Sequence, residues 1–279
     1  MISRRRFVQA TAATASLGTG LGIYTWQIEP HWLEIVRRPL PIANLPPELR
    51  GRTLLHLSDL HVGPQVSDAY IARVFETVRS LAPDIVVYTG DFTSRDTDVE
   101  PQVSRVYADC VRGRLGTIGV LGNHDYGMNW SRPEIALRLT SILGDCGIHI
   151  LRNEVAEIAG LQFAGMDDLW AGHFACASTL AGLAPSKAAI VLSHNPDSVD
   201  KPGWDGYEGW ILSGHTHGGQ CKPPFLPPPL LPVRNRRYTS GVFELTQNRR
   251  LYISRGVGHL LQVRFNVRPE ATLFELQAA

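Results

Sequence analysis

The sequence predicts an α/β sandwich in which two sheets pack against each other beneath outer helices. Three observations carry this. Apolar runs alternate with helical spacing in the first half of the chain, they follow one another with few helices in the second half, and most of them end in polar residues. A chain of 279 residues, 44% hydrophobic and 19% charged, has an ordinary globular balance. Its net charge of +1 offers no broadly basic face, so nucleic acid is not expected as a partner.

The elements follow in order. Residues 1–28 open with Ser3-Arg4-Arg5-Arg6-Phe7 and continue into an uncharged stretch, Ala10 to Ile28, rich in Ala, Gly and Thr. A charged start before an apolar run is the design of an export signal, and adjacent arginines ahead of a phenylalanine resemble the bacterial twin-arginine type. The segment is either removed or kept as an N-terminal anchor. Residues 29–50 hold five prolines and read as a linker, and 51–279 read as the folded domain.

Within that domain "RTLLHLSDLH" reads as a buried strand, and Ser67 to Leu81 as a helix with Ser67 as N-cap. "DIVVYTGD" is a second strand, Val99 to Val111 a helix, "GTIGVLGNHD" a third strand and Pro133 to Leu143 a helix. Later come "AAIVLSHNPD", "EGWILSGHTH", "RYTSGVFEL", "RRLYISRGVG" and "ATLFELQ", read as strands of a second sheet. The six prolines between Lys222 and Pro232 exclude helix interior and central strand, leaving a stiff extended loop. The four cysteines, Cys110, Cys146, Cys176 and Cys221, form no C-x-x-C pair and read as isolated thiols.

Polar residues stand where the apolar runs end: Asp59 and His61, then Asp91, then Asn123, His124 and Asp125, then His194, then His215 and His217. Ligands of open α/β sheets bind beyond the carboxyl ends of strands, so these groups are expected on one edge. Carboxylates, imidazoles and an amide oxygen, without thiolate, suit divalent manganese, iron or zinc. They are too many for one tetrahedral zinc and suffice for two ions if one carboxylate bridges. The glycines around "SGHTHGGQC" let backbone come close to whatever the histidines hold.

Taken in order and spacing, "DLH", "GD", "GNHD", "SH" and "GHTH" resemble the motifs of the calcineurin-like metallophosphoesterases, from about Arg52 to the C-terminus. The resemblance implies a four-layer α/β/β/α sandwich of two mixed sheets. It implies that Asp59, His61 and His217 hold one ion, that Asn123, His194 and His215 hold the other, and that Asp91 bridges them. By the same resemblance His124 faces the phosphate as general acid or transition-state stabiliser, and Asp125 orients it. The implied activity is hydrolysis of a phosphodiester or pyrophosphate bond by a metal-bridging hydroxide. The alternative is a non-catalytic metal-binding scaffold of the same fold, tethered at the envelope.

Three further stretches, "IEPHWLEIVRR", "GHTHGGQ" before the prolines and "SRGVGHLLQVRFNVRPEATLFEL", resemble an exported or membrane-associated bacterial branch. Some of its members cleave UDP-2,3-diacylglucosamine in lipid A synthesis. That implies a phosphorylated or lipid-linked substrate, the twin-arginine export machinery as partner, and a place across or in the inner membrane, or else on its cytoplasmic face. Outside the motifs, His56 reads as a core residue and His259 as part of a surface loop. Asp167 and Asp168 read as a turn or a substrate-side carboxylate, and Arg255, Arg264 and Arg268 as surface charges or phosphate contacts.

Overall fold

A computed structural model describes residues 3–94 and 100–279. It contains two six-stranded mixed sheets. The strands are β1 (Glu34–Ile42), β2 (Thr53–Leu57), β3 (Ile85–Thr89), β4 (Gly116–Val120), β5 (His149–Leu151), β6 (Glu154–Ile158), β7 (Leu161–Gly165), β8 (Ala189–Leu192), β9 (Gly209–Ser213), β10 (Gly241–Glu244), β11 (Arg249–Ile253) and β12 (Glu270–Ala278). The first sheet runs β1-β12-β2-β3-β4-β5 and the second β10-β11-β9-β8-β7-β6. In the first, β2 to β5 are parallel; in the second, β7, β8, β9 and β11 are.

Strand alternation sorts the apolar side chains into layers. Leu54, Ile85, Val87 and Ile118 face Phe163, Ile190, Leu192 and Leu212 across the gap between the sheets. Their neighbours Leu55, Leu57, Val86 and Tyr88 point the other way, onto α2 (Asp68–Arg79), α3 (Glu100–Tyr107) and α4 (Pro133–Asp145). On the far side Val191, Ile211 and Leu251 meet Cys176, Val199 and Trp204. That outer layer is thin, with the five-residue helix α5 (Cys176–Leu180) as its regular part. Ser67 caps α2 as expected, its hydroxyl accepting from Tyr70 N. The expected start of α3 at Val99 lies outside the described residues, and the helix ends at Tyr107 rather than Val111.

Two expectations are corrected. The stretch read as a linker contains β1, which pairs in parallel with β12 from Glu34↔Glu270 to Ile42↔Ala278. Pro39 and Pro41 are tolerated because β1 is an edge strand, while Leu40 and Ile42 between and beyond them are buried. The second correction concerns "ATLFELQ", which lies in the first sheet as β12, antiparallel to β2. Strands β5, β6 and β7 were not expected at all.

The helix α1 (Arg4–Ile23) precedes these sheets and buries none of its residues. Among the described residues no helix is long and apolar enough to cross a membrane. Beyond α1 the chain turns into the body of the protein: Glu29 and Pro30 are buried.

His56 is a core residue as expected. It lies fully buried with Nε2 2.7 Å from Thr89 Oγ1, and burial lowers its pKa to about 3. His259 is buried too, not on the surface, with Nε2 donating to Gln65 O at 3.1 Å. All four cysteines are free thiols.

Candidate metal centre

The parallel strands deliver the polar residues to one edge. Asp59 and His61 follow β2, Asp91 follows β3, and Asn123 to Asp125 follow β4 in a short 3-10 turn. His194 follows β8, and His215 and His217 follow β9. All of them are buried. The loops bend sharply to bring them inward: Asp59, His61, Asp91, His215 and His217 have φ values of 54°, 52°, 53°, 71° and 49°. Left-handed backbone is uncommon outside glycine and costs about 1 kcal/mol or more per residue, so five cases in one cluster mark a site where position outranks comfort.

Two groups form. In the first, His61 Nε2 lies 3.0 Å from His217 Nε2, and Asp59 Oδ1 lies 3.5 Å from the same His217 nitrogen. In the second, His194 Nε2 lies 3.1 Å from His215 Nδ1 and 3.3 Å from Asp91 Oδ2. That same Asp91 oxygen stands 3.6 Å from His61 Nε2, so it faces both groups. Asn123 is fully buried, and neither its Oδ1 nor its Nδ2 has a hydrogen-bond partner among the described residues.

The outward nitrogens settle which ring atoms are available. His61 Nδ1 donates to Thr93 O (3.3 Å), His194 Nδ1 to Thr89 O (2.6 Å) and His215 Nε2 to Pro232 O (2.7 Å). Each donation uses the outward nitrogen and turns the other one inward, where His61 and His215 present a lone pair. Ring nitrogens only 3.0–3.1 Å apart need a cation or a proton between them. Oxygen and imidazole donors arranged in this way fit two divalent ions.

The carboxylates are anchored by backbone. Asp59 accepts from His215 N at 2.9 and 3.1 Å, and Asp91 Oδ1 accepts from His124 N at 2.9 Å. The two oxygens of Asp125 accept from Thr93 N (3.1 Å) and Gly122 N (2.8 Å), so the carboxylate ties the loop after β3 to the loop after β4. His124 is 5% exposed and stands edge-on to His61, with ring centroids 5.1 Å apart.

Glycine neighbours are required by contact. A Cβ on Gly214 would lie 1.9 Å from Ser58 Oγ and 2.3 Å from Asp59 Oδ2. Gly219 has φ +80°, and a Cβ there would meet Pro228 at 2.3 Å. The proline-rich loop thus packs on the His-x-His turn at Pro228 and orients His215 through the Pro232 carbonyl.

Other expectations resolve as structure. Asp168 caps the turn after β7, accepting from Ala171 N at 2.7 Å, and that turn sets Trp170 edge-on to His215 with centroids 4.4 Å apart. Asp167 accepts from Tyr126 OH and from Arg152 Nε (3.0 Å). Arg255 pairs with Glu34 and Glu270, and Arg268 lies 4.2 Å over the Trp32 ring. Arg264 is fully buried behind His217, with Nη2 3.4 Å from His217 Nδ1. Trp170, Pro232 and Arg264 are therefore neighbours of the centre that the motifs do not announce.

Charge in this pocket is finely opposed. Burial lowers His61 and His215 to about 3, so both stay neutral. Burial also raises Asp59 to about 7. For His194 burial works downward, but Asp91, with Asp59 and Asp168 behind it, outweighs it and raises the group to about 10. The ion-free pocket therefore keeps a proton on His194 at neutral pH, and cations must displace it. Because a raised pKa means a more tightly held proton, affinity for divalent ions should climb as pH rises from 7 toward 10 and level off beyond. Calorimetry at pH 7 in buffers of different ionisation enthalpy should register release of about one proton or more on loading. Loading without proton release would contradict this charge balance.

The calcineurin-like phosphoesterase family model matches residues 52–219. This chain belongs to that family. Phosphodiesterase YaeI of Escherichia coli is 35% identical to it, over 99% of this chain and 100% of the relative. Uncharacterized metallophosphoesterase YkuE of Bacillus subtilis is 29% identical, over 99% and 98%. UDP-2,3-diacylglucosamine pyrophosphatase LpxG of Chlamydia trachomatis is 28% identical, over 93% and 96%. The chain is thus a phosphoester hydrolase with two candidate metal clusters, one of Asp59, His61 and His217 and one of Asp91, His194 and His215.

Proposed function

We propose that the chain cleaves a phosphodiester or phosphoric anhydride bond in a lipid-linked or other phosphorylated small molecule, with two divalent ions (manganese, iron or zinc) held by Asp59, His61 and His217 and by Asn123, His194 and His215. The observation that carries this reading is the position of Asp91 Oδ2 between the two clusters. A pair of ions in such a site supplies a hydroxide near neutral pH and offsets the charge of the phosphoryl oxygens.

The chain's own groups do the rest. Carbonyls of Thr93, Thr89 and Pro232 keep the imidazoles aimed inward, so the ligands are organised before substrate arrives. The His124 backbone amide holds Asp91 Oδ1, which places the His124 ring beside the first cluster, where it gives a proton to the leaving oxygen. Trp170 forms an apolar wall on the side of the second cluster. The names of YaeI and LpxG support diester and pyrophosphate substrates over small monoesters.

The purified full chain should be assayed on an aryl phosphomonoester, an aryl phosphodiester and a UDP-linked acyl-sugar pyrophosphate, with manganese, zinc or chelator. Turnover of one of the latter two, abolished by chelator and reduced about a hundredfold or more in His124→Ala at unchanged ion content, is the expected result. Activity indifferent to both treatments would refute the reading. The basic start of the sequence supports export by the twin-arginine route. Replacing Arg5 and Arg6 by lysine should then leave the chain in the cytoplasmic fraction, and unchanged fractionation would argue against export by that route.

A further inference from the structure

The segment between α1 and β1 is built into the wall of the first metal pocket. Thr25 O accepts the backbone amide of Arg264 at 2.9 Å, and Trp26 O accepts Gln262 Nε2 at 3.0 Å. Glu29 is fully buried, and its Oε1 accepts the amide of Val267 at 2.6 Å. A buried carboxyl group is costly unless it is hydrogen-bonded, and the Val267 amide meets that need. The carbonyl of the same Val267 accepts Arg264 Nη1 at 3.1 Å.

Arg264 in turn connects this wall to two ligands. Its Nη2 donates to Gly258 O (2.7 Å), Arg255 O (3.0 Å) and Gly256 O (3.2 Å), and it lies against His217. The loop it grips is bonded directly to the chain at Asp59: Val257 N donates to Ser58 O at 3.0 Å and Gly258 N to Asp59 O at 2.7 Å. Both ligands reached in this way, Asp59 and His217, belong to the first cluster. The imidazoles of the second cluster are held instead by Thr89 O and Pro232 O.

We propose that Glu29 is a positioning residue for the first metal pocket, acting through Val267 and Arg264. It follows that the chain from Thr25 onward belongs to the working enzyme, and that processing which removed Glu29 would loosen one ion and spare the other. The proposal rests on the reading of the two clusters as metal pockets.

The test uses the full chain and manganese at buffered free concentrations, reading ions bound per chain together with Tm. A group in contact with a ligand, as Arg264 is with His217, changes metal affinity by about tenfold or more, and Glu29 holds that group in place. Glu29→Ala should therefore release one ion at free manganese about tenfold or more above the level at which wild type releases it, with the second ion unchanged. Glu29→Gln keeps an oxygen for Val267 N and should bind within about threefold of wild type. Should the alanine variant not fold, Glu29→Asp, too short to reach Val267 N, is read in its place. Two ions held as tightly as in wild type, or equal weakening of both alongside a lower Tm, would overturn the proposal. A wild-type chain that bound no ion would instead overturn the metal reading beneath it.

Discussion

Asp91→Asn should fold, bind fewer than two ions, and lose at least about a thousandfold in kcat/KM. The argument is electrostatic. Asp91 Oδ2 stands 3.3 Å from His194 Nε2 and 3.6 Å from His61 Nε2, one from each cluster. Its carboxyl is held well below the usual range because, although burial opposes ionisation, the charges of His194 and His124 and the hydrogen bond to His194 outweigh it. Asparagine keeps the shape and leaves an oxygen for His124 N, but it removes the negative charge from between two cations. A unit charge pair near 4 Å is worth about 4 kcal/mol at an effective dielectric of 20, and each factor of ten in rate is about 1.4 kcal/mol. Losing that attraction to divalent ions on both sides accounts for three decades or more. Without ions the variant should be little disturbed, because His194 can then lose the proton that Asp91 had kept on it. A folded Asp91→Asn chain that still turns over substrate would show that the two clusters are not one centre. Ion counting and steady-state kinetics on the same preparation decide it.

Gly214→Ala should cost about 1–3 kcal/mol of stability, or more, and empty the first pocket. The added methyl has nowhere to go. It would lie 1.9 Å from Ser58 Oγ and 2.3 Å from Asp59 Oδ2, and neither can retreat. Ser58 Oγ donates to Thr89 O and accepts from Thr89 Oγ1, while the Asp59 carboxylate holds His215 N. Relief must therefore come from moving the loop that carries His215 and His217. The control is Gly144→Ala in α4, where no atom lies within 4 Å of the new methyl. That change should be neutral or should stabilise by a few tenths of a kcal/mol, up to about 1, because Gly144 lies in the last turn of the helix. Thermal melts with and without manganese compare the two. Equal melting behaviour would mean that the turn is looser than its contacts imply.

The clustering of the site residues was legible because two simple rules coincide in it. Parallel strands buried on both faces read as apolar runs, and the carboxyl ends of such strands gather on one edge. Asp59, Asp91, Asn123, His194 and His215 all obey both. Strand β1 was hidden by Pro39 and Pro41, which argue against a strand unless its edge position is known. Strand β5 has three residues, and β6 mixes half-buried and exposed positions without clean alternation, so neither gives a periodic signal. The groups that aim the imidazoles were illegible for a different reason. Thr89, Thr93 and Pro232 act through carbonyls, which every residue possesses. The tie that Asp125 makes between two loops was illegible too, since its partners are the backbone amides of Thr93 and Gly122. Glu29, Arg264 and His259 are buried polar groups, and composition alone places such residues outside.

The order β1-β12-β2 governs when this enzyme can become active during its synthesis. A nascent chain emerges from its N-terminus, so β2, with Asp59 and His61 at its end, leaves the ribosome early and can pair with β3 on one side only. Its other neighbour, β12, comes after every ligand has been made. Strand β1 waits even longer in relative terms, since β12 is the strand it bonds to. Until Glu270–Ala278 threads between them, β1 has no partner in the sheet and β2 keeps a free edge. Synthesis must therefore pass β12 before the first sheet can close, and a chain cut short of that strand would carry every residue of both clusters beside an open sheet edge.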